Sequence, residues 1–457
     1  MSTRWYDLIV VGGGTGRDIV LAGREQGIRV ALVEQGPLGG TCHNRGCMPS
    51  KMLIHSADIA DAARSGERFG VHTRIERIDL SSMVRNVFAE LDAETEEREE
   101  DLRSSPNVDF LQEEGRFVGH KTMEVGGERI SADKIVIAGG SRPSVIPFPG
   151  LESVPYLTSD EALHLETLPR HLAIIGGGYI ASELAHFFGS LGSEITLITI
   201  ENRLLEREDR EIAEWFTRAN SEKYNVLLSA HVEGISSIGD QIEVRLKSVE
   251  RPILADQLLI ATGRKPNTDL LNVEALGVEL DRGIIKVNEY METNVEGIWA
   301  FGDIVGIMPL KHVAVRQAKH LIQALFFGDK RPMDYRAIPH AVFGSPQVAG
   351  VGKTEEQLRD EGIPYRVGLH EFKNSAMGMA LKENGLVKVL ASASDDILGV
   401  HIVGPNASIL IQEVVVAMNT TGKLDAIIDS VHAHPALSQV IEQACEAVAP
   451  VPVLANT

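Results

Sequence analysis

Asp7-Leu8-Ile9-Val10-Val11-Gly12-Gly13-Gly14-Thr15-Gly16 is the stretch that decides how this chain folds. An uninterrupted apolar run of this length reads as a short buried strand. Glycines follow at once, then a helical pattern to Gln26, then a second apolar run over 29–33 that ends at Glu34. This is a β-α-β unit with the logic of a dinucleotide site. Gly12, Gly14 and Gly16 let the backbone approach a pyrophosphate, and the helix N-terminus offers free N–H groups. Glu34, about twenty positions on, accepts hydrogen bonds from a ribose. The competing reading is a glycine turn in an ordinary α/β unit; strand, helix and acid in the right order favour the dinucleotide. One departure is Arg17 at the sixth position, where a small residue is usual, and it predicts looser packing of helix on strand.

The element occurs a second time. Residues 171–175 are the strand, Gly176-Gly177-Gly178-Tyr179-Ile180-Ala181 the turn, and 195–198 the next strand. This is an internal duplication of nucleotide-binding modules. One chain then holds two dinucleotides, and a hydride donor beside a second electron carrier is the natural pairing.

Between the two units stands Gly39-Gly40-Thr41-Cys42-His43-Asn44-Arg45-Gly46-Cys47-Met48-Pro49-Ser50-Lys51. Positions five apart on a regular helix point about 140° away from each other. Cys42 and Cys47 can therefore meet only if the backbone bends, and Gly46 tolerates the bend. Pro49 suits a first helical turn, and 52–63 reads as a helix. A thiolate near a helix N-terminus is stabilised, the setting of a reactive dithiol. Two inert cysteines, or a zinc site with His43, compete. The polar, glycine-rich surroundings oppose the first, and zinc's preference for four ligands in closely spaced pairs opposes the second.

The chain has 457 residues, 44% apolar and 24% charged, with a formal charge of −20. At ~150 residues per domain it should form about three. The acidic balance argues against nucleic acid and anionic membrane surfaces as partners. No apolar run approaches the ~20 residues of a membrane span. The start runs straight into a strand-like segment, so no signal peptide is expected. Three cysteines in so long a chain suit a reducing cytoplasm, with Cys445 in an apolar-periodic helix serving packing.

Farther along, 83–103 is a charged helix whose run Glu94-Thr95-Glu96-Glu97-Arg98-Glu99-Glu100-Asp101 reads as a solvated face. A β-rich segment leads to Gly139-Gly140-Ser141-Arg142-Pro143, and a linker follows to Pro149. Strands over 258–262 and 298–303 deliver Arg264 and Asp303 at their carboxyl ends, where open α/β sheets bind ligands. From about Ile338, separate strands at 341–343, 347–351, 386–390 and 397–403 read as an α+β domain with an antiparallel sheet. The fold expected is α/β: two Rossmann-like nucleotide-binding domains (1–149 and 150–265), a central segment (266–337) completing the first site, and a C-terminal α+β dimerisation domain (338–457).

These residues together resemble the flavoprotein disulfide reductases, the class I pyridine nucleotide-disulfide oxidoreductases. The resemblance covers nearly the whole chain. It rests on the Cys42 to Lys51 loop, Ala261-Thr262-Gly263-Arg264, Gly302-Asp303, Pro346-Gln347-Val348-Ala349-Gly350-Val351-Gly352 and His434-Pro435. It implies FAD, a nicotinamide nucleotide and a homodimer whose active site joins two subunits. Cys42 would be the interchange thiol that attacks the substrate disulfide, and Cys47, with Thr41 nearby, would face the flavin. Lys51 would sit by the flavin and pair with Glu183. Glu34 would hold the adenosine ribose, and Asp303 the ribityl chain, with Gly140 and Arg264 in the same site. Tyr179 would cover the flavin where nicotinamide docks. His434 of a second copy would be the acid–base group. Gln439 stands where the family carries Glu; an amide can orient the imidazole but supplies no negative charge. Glu442 is an alternative partner.

Neither the usual NAD nor the usual NADP pattern follows the second unit: Thr199, Ile200 and Glu206 occupy the discriminating positions. With no basic pair for a 2′-phosphate, and with Glu201 and Glu206 to repel one, NAD is expected over NADP. The resemblance points first to dihydrolipoamide dehydrogenase, acting on a small-molecule or lipoyl-domain disulfide. Arg17, residues 310–314 and residues 216–218 are also similar to mycothione reductase. His43 and Arg45 make the loop more cationic than is typical, and are expected to face solvent. The alternative of another class is a flavin redox sensor or complex subunit without turnover; Cys42, Cys47, Lys51 and His434 together oppose it.

Overall fold

A computed structural model describes residues 3–450 apart from 248. Its first sheet is built around the strand Thr3–Val11, which pairs in parallel with Val30–Val33 on one side and Glu128–Ile137 on the other. Val108–Leu111 extends the sheet beyond Val30–Val33. Glu128–Ile137 is long enough to have two neighbours on its far edge. Its first half pairs antiparallel with Thr122–Val125, and its last three residues pair in parallel with Ile298–Ala300. Five parallel strands therefore end side by side, and this edge carries Gly12, Glu34, Gly140 and Asp303. Tyr6, Ile9 and Ile135 are fully buried between the layers, which is why these strands read as continuous apolar runs.

The second sheet has the order Asn225–Leu227, Glu194–Ile198, His171–Ile175, Gln257–Ile260, all parallel. A short ribbon, Ser141–Pro143 against Arg264–Pro266, ends where the linker read from the sequence begins. The C-terminal sheet has six strands, every pair antiparallel. Two of them, Arg366–Glu371 and Ala449–Pro450, are not among the strands read from the sequence.

One hydrophobic cluster crosses all three layers. Leu53 and Leu91 come from helices over the first sheet, Leu172 and Phe216 from the second unit, and Val342 and Val403 from the C-terminal sheet. At ~25 cal/mol per Å² of apolar area buried, such a seam locks the units into one body. No helix among the described residues is long and apolar enough to cross a membrane.

Candidate active site

The first glycine turn is shaped by close approach. Gly12 has φ +105°, and a Cβ there would lie 2.2 Å from the Ala138 carbonyl oxygen. A Cβ on Gly16 would stand 3.0 Å from Val10 Cγ1. Gly16, not the sixth position, thus provides the helix–strand contact. Arg17, part-buried, reaches Asp101 at 3.5 Å. Glu34 is held by backbone at both oxygens: Gly13 N donates at 2.8 Å and Gly36 N at 2.9 Å. Ser141 Oγ donates to Asp303 at 2.6 Å and accepts from Arg264 Nε at 2.8 Å. A Cβ on Gly140 would meet nothing, and one on Gly14 would meet only the backbone of Gly39 and Gly40. The strand ends therefore form a backbone-lined trough with a fixed carboxylate at each end, which fits an extended dinucleotide such as FAD.

The cysteine loop bends where Gly46 stands. Gly40–Arg45 and Cys47–Ser65 are two helices, and Gly46 between them has φ −147° and ψ −116°. A side chain at Gly46 would meet the Thr41 carbonyl oxygen at 2.8 Å. Cys42 and Cys47 are free thiols hydrogen-bonded to each other. Their acidities split. Donation to Cys47 and burial push the Cys42 thiol well up. The Cys42 hydrogen bond, helped by the Lys51 charge, brings Cys47 down to about 7 against the opposing effect of burial. One thiol keeps its proton while its neighbour ionises near neutrality.

Lys51 Nζ lies 2.6 Å from Glu183 Oε2. The other oxygen, Glu183 Oε1, accepts from Phe343 N at 3.0 Å, and Lys51 Nζ stands 4.8 Å from the Phe343 ring centroid. A helix below the first sheet, a helix of the second unit and the C-terminal segment thus converge beside Cys47. Tyr179, one turn before Glu183, donates its hydroxyl to Glu208, and Glu208 Oε2 lies 2.7 Å from His340 Nε2. Glu208 is buried. Sequence reading missed Phe343, Glu208 and His340; nothing local marks them, and Glu208 and His340 are 132 positions apart.

In the second turn, Gly176 has φ +139° and its Cβ would meet the Ala261 carbonyl oxygen at 2.3 Å, while a Cβ on Gly178 would meet nothing. Thr199 is buried against Gly177, and Ile200 and Glu201 are exposed beyond it. Arg203 is engaged by Glu206 at 3.0 Å.

His43 does not face solvent. It is buried, with Nε2 3.0 Å from the Leu91 carbonyl oxygen and Nδ1 3.3 Å from Arg98. The helix Leu80–Arg103 covers it, so its charge run is not wholly a solvated face: Thr95 is buried and Glu99 accepts from Leu38 N at 3.2 Å. His434 Nδ1 lies 2.9 Å from Gln439 Oε1. Glu442 is directed instead to His432, 3.5 Å from Nδ1, while Glu413 takes His432 Nε2 at 2.6 Å. Among the described residues, no hydrogen bond joins His434 to Cys42, Cys47 or Lys51 within one protomer, and no group of His, Cys, Asp and Glu is arranged to hold a metal.

Residues 6–318 match the family described as pyridine nucleotide-disulphide oxidoreductase, and 338–445 match its dimerisation domain. The chain belongs to this family. Among its relatives, a mycothione reductase of Mycobacterium tuberculosis is 36% identical over 96% of this chain and 98% of its own length. Dihydrolipoyl dehydrogenase 2, mitochondrial, of Arabidopsis thaliana is 34% identical over 96% of this chain and 90% of its own. Among solved structures, the HOCl-induced flavoprotein disulfide reductase RclA from Escherichia coli superposes with a TM-score of 0.87 at 28% identity, covering 97% of this chain and 100% of that one. Members of the family use FAD and NAD(P)H, and the trough and second turn described above fit these two groups. The C-terminal antiparallel sheet is the family's dimerisation domain.

Proposed function

We propose that this oxidoreductase passes electrons between NAD(H) and a disulfide through Cys42 and Cys47. The observation that carries the reading is the pair of free thiols, Cys42 and Cys47, on either side of the Gly46 bend, with the Lys51–Glu183 ion pair one turn along the Cys47 helix. Gly12, Gly14, Gly16, Glu34, Thr41, Gly140, Arg264 and Asp303 would hold FAD, with Gly176, Gly178, Tyr179 and Glu201 at the nicotinamide nucleotide. Tyr179 covers the place where nicotinamide docks. When bound, FAD relays two electrons from the reduced nucleotide to the oxidised cysteine pair.

The protein's own residues then act on the substrate disulfide. Cys42, as thiolate, attacks one substrate sulfur, forming a mixed disulfide and releasing the first thiol. Cys47 attacks Cys42 Sγ, expelling the second thiol and restoring the Cys42–Cys47 bond. Two electrons leave the dithiol and two substrate thiols form. His434 of a second copy of the chain accepts the Cys42 proton and returns it to the leaving sulfur, since imidazole titrates near neutrality. Gln439 orients its ring.

A lipoyl disulfide, free or on a domain, is the first substrate to test. The mycothione reductase reading is favoured by a specific observation: the similarity runs over 98% of that relative's length at 36% identity. Turnover of the purified protein with NADH or NADPH against lipoamide and mycothiol disulfide decides between them. No turnover with any disulfide would favour the redox-sensor alternative. Few cysteines, with Cys445 buried, support a reducing cytoplasm as its location.

A further inference from the structure

Glu208 is a buried carboxylate outside the dithiol chemistry. Burying an isolated charge is costly, and a packing role alone would be served by an apolar side chain. Each of its oxygens takes one donor: the Tyr179 hydroxyl at Oε1 and His340 Nε2 at Oε2. Burial would push its acidity the other way, but the His340 charge and hydrogen bond, with the Tyr179 hydroxyl, hold it below the ordinary carboxylate value. Burial and the Glu208 charge push the Tyr179 phenol far up, so it stays a donor. His340 is raised, its carboxylate partner outweighing burial.

The placement is also specific. Tyr179 opens the helix Tyr179–Leu191 and is one turn from Glu183, so both project from the same face. The C-terminal segment meets that face twice, at Phe343 N on Glu183 and at the His340 ring, stacked 6.2 Å from Tyr179. Room for the His340 ring exists because residue 350 is glycine: a Cβ there would lie 2.8 Å from His340 Cε1.

We propose that Glu208 and His340 are positioning residues that latch the Tyr179 ring in place and so oppose entry of the nicotinamide. The latch rests on the reading of Tyr179 as the cover of the nicotinamide site. A nucleotide that displaces the ring must give up a charge-assisted hydrogen bond, so the dimerisation domain sets nucleotide affinity through His340.

The test is the dissociation constant of NAD⁺ on the FAD-loaded protein, measured by calorimetry, for wild type, Tyr179→Phe, Glu208→Gln and the double variant. Tyr179→Phe should bind about tenfold more tightly, the scale of one such bond partly replaced by packing, and Glu208→Gln, whose amide oxygen still accepts from the hydroxyl but without the charge, should tighten binding by a smaller factor. The double variant should bind no more tightly than Tyr179→Phe alone, because Glu208→Gln weakens only the bond that Tyr179→Phe removes. Unchanged or weaker NAD⁺ binding by Tyr179→Phe overturns the latch, as does an additive double variant. Tyr179→Phe removes only a hydroxyl and leaves the Glu208–His340 pair intact, so it decides the matter even if Glu208→Gln fails to fold. If wild type does not bind NAD⁺ at all, the nucleotide-site reading falls, and the latch with it.

Discussion

Replacing Lys51 by Met tests how the reactive thiol is tuned. The ammonium sits 2.6 Å from Glu183 and adds to the Cys42 hydrogen bond in holding Cys47 down to about 7. At pH 7 about half of Cys47 is then thiolate, against roughly 1–3% for an ordinary thiol. A neighbouring charge moves a thiol by about one unit or more. Lys51→Met should therefore raise the midpoint to about 8, leaving roughly a tenth of Cys47 as thiolate at pH 7. Glu183, left with the Phe343 N–H alone, pushes in the same direction. The assay is the long-wavelength thiolate-to-flavin charge-transfer absorbance of the two-electron-reduced protein, followed against pH. The thiolate is present above the midpoint and lost as pH falls through it. Lys51→Arg, which keeps the charge, should keep the midpoint near wild type. A midpoint unmoved by Met, or moved equally by Arg, would show that the charge of Lys51 does not tune Cys47.

Gln439→Glu, which places a carboxylate 2.9 Å from His434 Nδ1, should move the pH–rate limb assigned to that imidazole upward by roughly half to one unit, while Glu442→Gln should leave it in place. Mixing Cys42→Ser and His434→Ala chains should restore activity in hybrid dimers, which contain one intact site; inactive hybrids would place both groups in one subunit. The ratio of kcat/KM should favour NADH over NADPH, because Arg203 is already engaged by Glu206 and Ile200 offers no donor; a preference for NADPH would reverse this. Lys388→Met should destabilise by about 3–5 kcal/mol, since buried Asp209 at 2.9 Å loses its cation. Asp209 and Glu355 are held low, chiefly by His401 and Lys388 and by Lys388 and Tyr365 respectively, against burial. Their contribution is present above the ordinary carboxylate range and lost as pH falls below about 4, so the melting-temperature gap should narrow there.

Features written in contiguous residues were legible, and features made by distant packing were not. Strand, glycine turn, helix and acid follow one another at 7–34, so the first nucleotide unit could be read whole, as could its repeat at Gly176. The bend at Gly46 followed from the need to bring Cys42 and Cys47 together. His43 was misread because its surroundings are supplied by Leu91 and Arg98, on a helix that begins more than thirty positions later. The close approach of helix to strand falls at Gly16, one residue before the fingerprint position held by Arg17. The Lys51–Glu183 pair spans 132 positions and came only through the family resemblance. The Glu208–His340 pair, at the same separation, has no counterpart among the motifs and stayed invisible.

The junction of Lys51, Glu183 and Phe343 bears on how such a chain can be recombined. Each partner is contributed by a different layer, and the contact is a charge pair capped by a backbone N–H. A nucleotide module exchanged with a relative would carry its glutamate to a foreign lysine and a foreign strand. Unless the helix meets both within hydrogen-bonding tolerance, a carboxylate is stranded beside the thiol it should help to poise. Chimeras should therefore fold more often than they turn over, and the working cut points are those that move the cysteine helix, the Glu183 helix and the strand leading into Phe343 as a single inheritance.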